Sequence, residues 1–371
     1  MNAGFSAYLN VLRFGAALVV LMSHFGFVRY SGGRWLWIRE FNFGSDAVII
    51  FFVLSGLVVA QAASRKRSGL GGFAFDRLTR LWSVAIPALV IGFTLDRIGA
   101  RIAPSAYEGW FYVPLPFDEQ MWRGMSFSNQ WGGMATRLGT NGPYWSLSYE
   151  AAYYALFAVG FYLRGLWRVL LLAVGLWVFG LNIMLLMPAW LMGAALYFWL
   201  ARGVLPRRHL ALLLAVVPVL AYGAAVATGL PEALLVVTDP LDEVVNLRFS
   251  DEPIWSAILG ALVAVHLMGM AGLLTDTSLS RVAPRAAWAA GASFSLYLMH
   301  YPALQFFGGI MPKSRYATLN EAMLLAAVLM FCALFARLFE RPLPTLRAAL
   351  LRFAMWIRPN PARAPHGSPA D

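Results

Sequence analysis

Apolar runs recur along the whole chain, separated by short breaks that carry arginine, proline or glycine. As a helix rising about 1.5 Å per residue, a run of about twenty residues crosses the hydrocarbon of a bilayer. The pattern predicts transmembrane helices over residues 8–28, 43–62, 80–96, 144–163, 167–187, 188–201, 209–229, 254–274, 287–308 and 321–340. The predicted fold class is an all-α integral membrane bundle of about ten transmembrane helices. Between the fifth and sixth runs only Pro188 supplies a break, which predicts a tight turn there. The first run has no basic leader and no small-residue cleavage site, so it reads as a retained span rather than a signal peptide.

Composition agrees with this pattern, since 60% of the 371 residues are hydrophobic and only 13% are charged, unlike a soluble protein of this size. With an even number of spans both termini lie on one side. That side collects most of the arginine, including Arg65, Arg77, Arg80, Arg164, Arg168, Arg202, Arg207, Arg208, Arg281 and Arg285, while the 230–253 loop opposite is acidic. Both termini are therefore expected to be cytoplasmic, with the chain a multi-pass protein of a cell membrane, a bacterial inner membrane being expected. The net charge of +11 follows from this bias and from attraction to membrane lipids, and no nucleic-acid partner is predicted. The single cysteine, Cys332, excludes an internal disulfide or a multi-cysteine metal site. Residues 1–342 form one predicted membrane domain, and 343–371 a cytoplasmic tail with the composition of a disordered end. No internal repeat is visible, which disfavours the repeat-built transporters. The 97–143 loop is rich in aromatics such as Trp110, Tyr112 and Trp122, with Glu108, Asp118 and Glu119 among them. It reads first as an interfacial aromatic belt, and second as a surface on which a sugar could stack.

Ionisable side chains in hydrocarbon cost about 3 kcal/mol each even on lenient scales, so those within spans are paired, solvated or functional. Here they are Arg13 and His24 in the first span, Asp46 at the start of the second, Glu150 in the fourth and His300 in the ninth. Arg13 and His24 differ by about 20° around a helix and about 16 Å along it, so they share one face at two depths. Each has a plain reading too. Arg13 can snorkel, Asp46 can serve a helix start, and His300 and His266 can be packing histidines. His24 and Glu150 fall in the same half of the membrane, and a carboxylate-oriented imidazole is a general base near neutral pH. Arg77 and Arg80, three apart, share a helix face and can clamp a phosphate, although ordinary positive-inside arginines show the same spacing. No metal-ligand spacing, nucleophile elbow or nucleotide-binding loop is present, so neither a metal nor a permanently bound cofactor is predicted.

Taken in order, the stretches LRFGAALVVLMSHF (residues 12–25), FFVLSG (51–56), RLTR (77–80), NGPYWSLSYE (141–150), SFSLYLMHYP (293–302) and ERP (340–342) resemble the signatures of the membrane acyltransferase 3 family. The matches run in order over residues 8 to 342. One departure is that Asp46 stands five residues before Phe51, where many members have an acidic residue two before. The extra esterase-like domain of some members is not expected either. The resemblance implies an O-acyltransferase that moves an acyl group, most commonly acetyl, from cytoplasmic acyl-CoA to a hydroxyl of a carbohydrate, such as a cell-surface polysaccharide, or of a lipid-linked or exported acceptor. It implies His24 and Glu150 as catalytic residues, His24 being the base and Glu150 orienting it or holding the acceptor. Arg13, Arg77 and Arg80 would contact the CoA donor, and Asp46, Ser146, Tyr297 and His300 would bind acceptor or support the site. An acyl-histidine relay and direct transfer are both open. The alternative reading is a transporter or exporter of a lipid-linked sugar or small metabolite, in which the intramembrane His and Glu relay protons.

Overall fold

A computed structural model of the protein describes residues 2–65 and 69–357. The basic residues Lys66 and Arg67 and the end of the tail, 358–371, lie outside the described residues. The long helices are α1 (Ala3–Phe25), α2 (Phe43–Arg65), α3 (Gly69–Ile102), α4 (Trp145–Tyr162), α5 (Gly165–Phe179), α6 (Leu181–Leu200), α7 (Arg208–Ala227), α8 (Leu230–Val245), α9 (Pro253–Leu273), α10 (Ser293–Ile310), α11 (Ala317–Phe335) and α12 (Leu343–Ile357). No strand forms among the described residues, only isolated bridges such as Val113 with Gly139. Among the described residues seven helices are long and apolar enough to cross a membrane: α1, α2, α3, α6, α7, α9 and the run Ala317–Met355. The other predicted spans coincide with α4 and α10, which carry Ser, Tyr, Glu and His, and with α5, which has 15 residues.

α2 is central because it is apolar nearly all round. It buries Ala47, Val48, Phe52, Val53, Leu57 and Ala60 and packs on α1, α6 and α9. The approach to α6 is close enough to require glycine. A Cβ on Gly56 would fall 2.0 Å from the Trp190 carbonyl oxygen, and one on Gly193 would fall 1.9 Å from that of Val53. Small residues at such a crossing let backbones touch where the hydrophobic effect does not drive association. α10 joins α1 to α3, and its first turn is held by the Glu340 carboxylate, which accepts from the Ser295 amide at 2.8 Å. Exposed apolar side chains crowd α5 and α7, among them Trp167, Trp177, Leu213 and Leu220. A membrane supplies the apolar surroundings that these faces need.

Three expectations change. The break predicted at Pro188 lies instead at Gly180, whose φ of +83° suits glycine alone; Pro188 sits inside α6. The acidic 230–253 loop contains α8, started by Pro231 with Glu232 in its first turn, both favourable there. The tail predicted to lack order from 343 begins with α12, docked on α3 by Arg347. Its Nε donates to Thr79 Oγ1 at 2.9 Å and its Nη1 lies 3.7 Å from Asp76 Oδ1. The 97–143 segment is fastened to α3 by Asp96, which accepts from the Thr140 amide at 2.8 Å and its hydroxyl at 2.7 Å.

Candidate active site

Two cavities of different chemistry meet inside the bundle. The first, about 200 Å³, is lined by Arg13 of α1, Ser55 of α2, Arg77 and Arg80 of α3, Glu150 and Tyr154 of α4 and Arg347 of α12. We call it the arginine pocket. None of Arg13, Arg77 and Arg80 forms a salt bridge with a described carboxylate, and the Arg77 Nε is buried without a hydrogen-bond partner. Glu150 is occupied otherwise: its Oε1 accepts from Ser55 Oγ at 2.7 Å and from the Tyr154 hydroxyl. Three guanidinium groups without an ion pair to a described carboxylate, beside Arg347 with its Asp76 partner, outweigh Glu150 and make an anion site. Arg13, Arg80 and Phe294 also line an adjoining cavity of about 410 Å³ beside Glu340 and Arg341, so the positive space continues toward the start of α12.

The second cavity, the histidine pocket, is about 260 Å³ and is lined by His24, Arg39, Asn42, Asp46, Trp145, Arg248, Asp251 and Glu252 among others. Among the described residues only Val48 and Tyr297 line both pockets, and they form the septum. Tyr297 is held at its hydroxyl, which lies 2.7 Å from Ser146 Oγ and donates to the Pro143 carbonyl at 3.2 Å.

The sequence offers Glu150 as the partner of His24; the structure puts His300 there. α4 explains the difference, because Trp145 lines the histidine pocket while Glu150, more than one turn further on, lines the arginine pocket. His300 is fully buried, with Nδ1 2.9 Å from the Leu296 carbonyl. A carbonyl only accepts, so that nitrogen carries the proton, and in the neutral ring Nε2 is the acceptor. It lies 3.0 Å from His24 Nδ1, which is also 3.0 Å from the Val20 carbonyl. His24 Nδ1 therefore carries the proton, and the lone pair falls on Nε2. A neutral imidazole held in one tautomer can take a proton from a hydroxyl.

Asp46 stands in the first turn of α2 and accepts from Trp255 Nε1 at 2.8 Å and the Tyr222 hydroxyl at 2.7 Å. It ties α2 to α7 and α9 at the edge of the histidine pocket. Glu252, at the N-cap of α9 and outside the span, is pushed up to about 7 by burial first and then by neighbouring Asp251, against a lowering bond from Asn42. Burial also lowers Arg39. The pocket thus joins hydrogen-bonding groups of both signs to the ring faces of Trp145 and Phe249, stacked at 4.6 Å.

Against known families, residues 6–339 match an acyltransferase domain, that of acyltransferase family 3. The chain belongs to the acyltransferase 3 family. No curated protein and no solved structure matches it. The protein is therefore a multi-pass membrane acyltransferase, and this replaces the transport reading. Some residues of the candidate site escape sequence reasoning. Ser55 lies inside FFVLSG and Tyr154 one turn after Glu150, each legible as a neighbour of a quoted motif. Arg347 and Glu252 have no local signal, because only the folding back of α12 and the α8–α9 turn brings them to the pockets.

Proposed function

We propose that this acyltransferase moves an acyl group, acetyl first among them, from acyl-CoA in the arginine pocket to a hydroxyl of a carbohydrate or lipid-linked acceptor in the histidine pocket. The arginine pocket faces the cytoplasm of a bacterial inner membrane, with both termini on that side. The observation that carries the reading is the meeting, across a thin septum, of a tautomer-fixed histidine and an arginine cluster in which Arg13, Arg77 and Arg80 have no described carboxylate as ion-pair partner. Phosphates of the donor lie against Arg77, Arg80 and Arg347, with Arg13 deeper in the membrane and the thioester carbonyl at the septum. His24 Nε2 takes the proton as the acceptor oxygen attacks the carbonyl carbon. The carbon–sulfur bond breaks, the CoA sulfur leaves as thiolate and takes up that proton, and an ester remains. A thioester is activated enough toward an alcohol that no nucleotide is consumed.

The test uses membranes containing wild-type or His24→Ala protein, acetyl-CoA labelled in the acetyl group, and extracted surface glycans and lipid-linked sugars. Base-labile label should appear in one acceptor fraction with wild type and fall about a hundredfold or more without the imidazole. Undiminished label in the variant refutes the role of His24, and no label with acetyl or longer acyl-CoAs refutes the donor.

A further inference from the structure

A third cavity, about 630 Å³, lies between α1, α2, α7 and α9, and its walls are almost entirely apolar. Val11, Gly15 and Val19 of α1 face Ile50 of α2, Val219 of α7 and Val263 of α9. One end is closed by Tyr8, whose hydroxyl is 2.5 Å from His266 Nε2. The other end is Asp46, which lines the histidine pocket as well. Along α1 the groove runs from Tyr8 to Val19, and the next residues on the helix, Val20, Ser23 and His24, line the histidine pocket. Eleven residues of helix span about 16 Å, roughly one leaflet of a 30 Å hydrocarbon layer. The apolar space is more than twice the polar space it adjoins.

We propose that this groove holds the hydrocarbon chain of a lipid-linked acceptor, whose polar head lies in the histidine pocket against His24. The inference rests on the acyl-transfer reading above and commits it to the lipid-linked class. Three features select that occupant. Lining of this composition takes a chain rather than a sugar. The length suits one leaflet's chain. Because Asp46 is a shared wall, a chain in the groove leaves its head in the catalytic pocket, where an occupant either accepts the acyl group or blocks it. Asn42, Arg39 and Glu252 then meet the head, and the Asp46 carboxylate, hydrogen-bonded to Tyr222 and Trp255, marks the boundary between chain and head.

Gly15 provides the test. A Cβ added there meets no atom within 4 Å, so Gly15→Phe directs a ring into the groove without striking the packed helices. Membranes containing wild type, Gly15→Phe or Leu220→Phe receive labelled acetyl-CoA with lipid-linked glycans or with the same glycans released from their chains by mild acid. Leu220 lies on the exposed face of α7 and does not line the groove. Wild type should esterify the lipid-linked form at least tenfold faster than the released form. Gly15→Phe should bring the lipid-linked rate down to the released rate, and Leu220→Phe should leave both unchanged. Equal rates on the two forms with wild type, or an unchanged lipid-linked rate in Gly15→Phe, overturns the proposal. A photoactivatable hexadecyl glucoside gives a readout independent of transfer. It should cross-link to α1 in wild type, be displaced by hexadecyl but not methyl glucoside, and lose its cross-link in Gly15→Phe. Equal displacement by a dialkyl phospholipid makes the groove an ordinary lipid site and overturns the proposal. A specific cross-link with no ester in any fraction supports a chain site and brings down the transfer reading, and with it the acceptor role.

Discussion

Replacing His300 by leucine tests the proposed chemistry most sharply. His300 does not line the arginine pocket; what it supplies is an acceptor 3.0 Å from His24 Nδ1. Without it, the Nδ1 proton retains the Val20 carbonyl, also at 3.0 Å, so the tautomer is weakened rather than lost. The loss of one neutral hydrogen bond whose proton keeps a second acceptor costs about 0.5–1.5 kcal/mol, or about two- to tenfold in rate. His24→Ala removes the base itself and should cost about a hundred- to ten-thousandfold. The predicted result is a kcat for His300→Leu between those of wild type and His24→Ala, with an unchanged KM for acyl-CoA. His300→Gln, whose side-chain oxygen can accept from Nδ1, should recover part of the loss. Steady-state kinetics on purified protein in nanodiscs reads all three. A His300→Leu enzyme with wild-type kcat, or one whose only change is a higher KM for acyl-CoA, refutes the positioning role, and glutamine no better than leucine refutes the tautomer argument.

Arg77→Ala, Arg80→Ala and Arg347→Ala should each raise KM for acyl-CoA by about tenfold or more, since a hydrogen bond to a charged group is worth about 1.5–3 kcal/mol; lysine should rescue only in part because it lacks the planar fork, and unchanged KM values in kinetic assays would remove the donor assignment. Glu252 holds its proton more tightly when folded, with the value pushed up from 4.5 to about 7, so its contribution to stability falls as pH rises through that window. Thermal unfolding in detergent should therefore show a Tm that declines from pH 5 to pH 8 more steeply in wild type than in Glu252→Gln; parallel profiles contradict the burial argument. Gly193→Ala places a methyl 1.9 Å from the Val53 carbonyl oxygen and should destabilise the α2–α6 crossing by about 1–3 kcal/mol, read as a lower Tm, and a wild-type Tm would show that the crossing can open.

What the sequence made legible is governed by how local the signal is. Helix positions were readable because membrane insertion imposes a run length on each segment. The six quoted motifs were readable because each lies within a few turns. The joints were less so: Gly180 and Pro188 stand eight residues apart in an apolar stretch, and hydropathy does not distinguish a left-handed glycine from a proline carried inside a helix. The pairing of His24 with His300 bridges 276 residues and depends on α10 lying beside α1, which no periodicity encodes. Glu150 lines the arginine pocket rather than the histidine pocket, a difference of little more than one helical turn along α4 that hydropathy does not resolve. Arg347 was lost for another reason, since its segment has the charge and proline content of a tail and becomes a helix by docking on α3.

The septum itself sets a limit on the reaction. In the proposed reaction donor phosphates and acceptor head occupy separate pockets, so only the acyl group has to pass Val48 and Tyr297. Any wider opening would admit water to the thioester and a larger acyl group to His24. In a tight pocket one methylene is worth about 1–3 kcal/mol of discrimination, and Val48 is 5% exposed with little room around it. Val48→Ala removes two methyl groups from that wall and should relax the discrimination by about 1 kcal/mol for each methylene added to the acyl chain, roughly fivefold. Measured as competing kcat/KM values, butyryl-CoA should gain on acetyl-CoA by more than tenfold in the variant, with acceptor-independent thioester hydrolysis rising alongside. If the ratio stays at its wild-type value while acetyl transfer continues, Val48 does not gate the acyl group, and the passage between the pockets runs elsewhere.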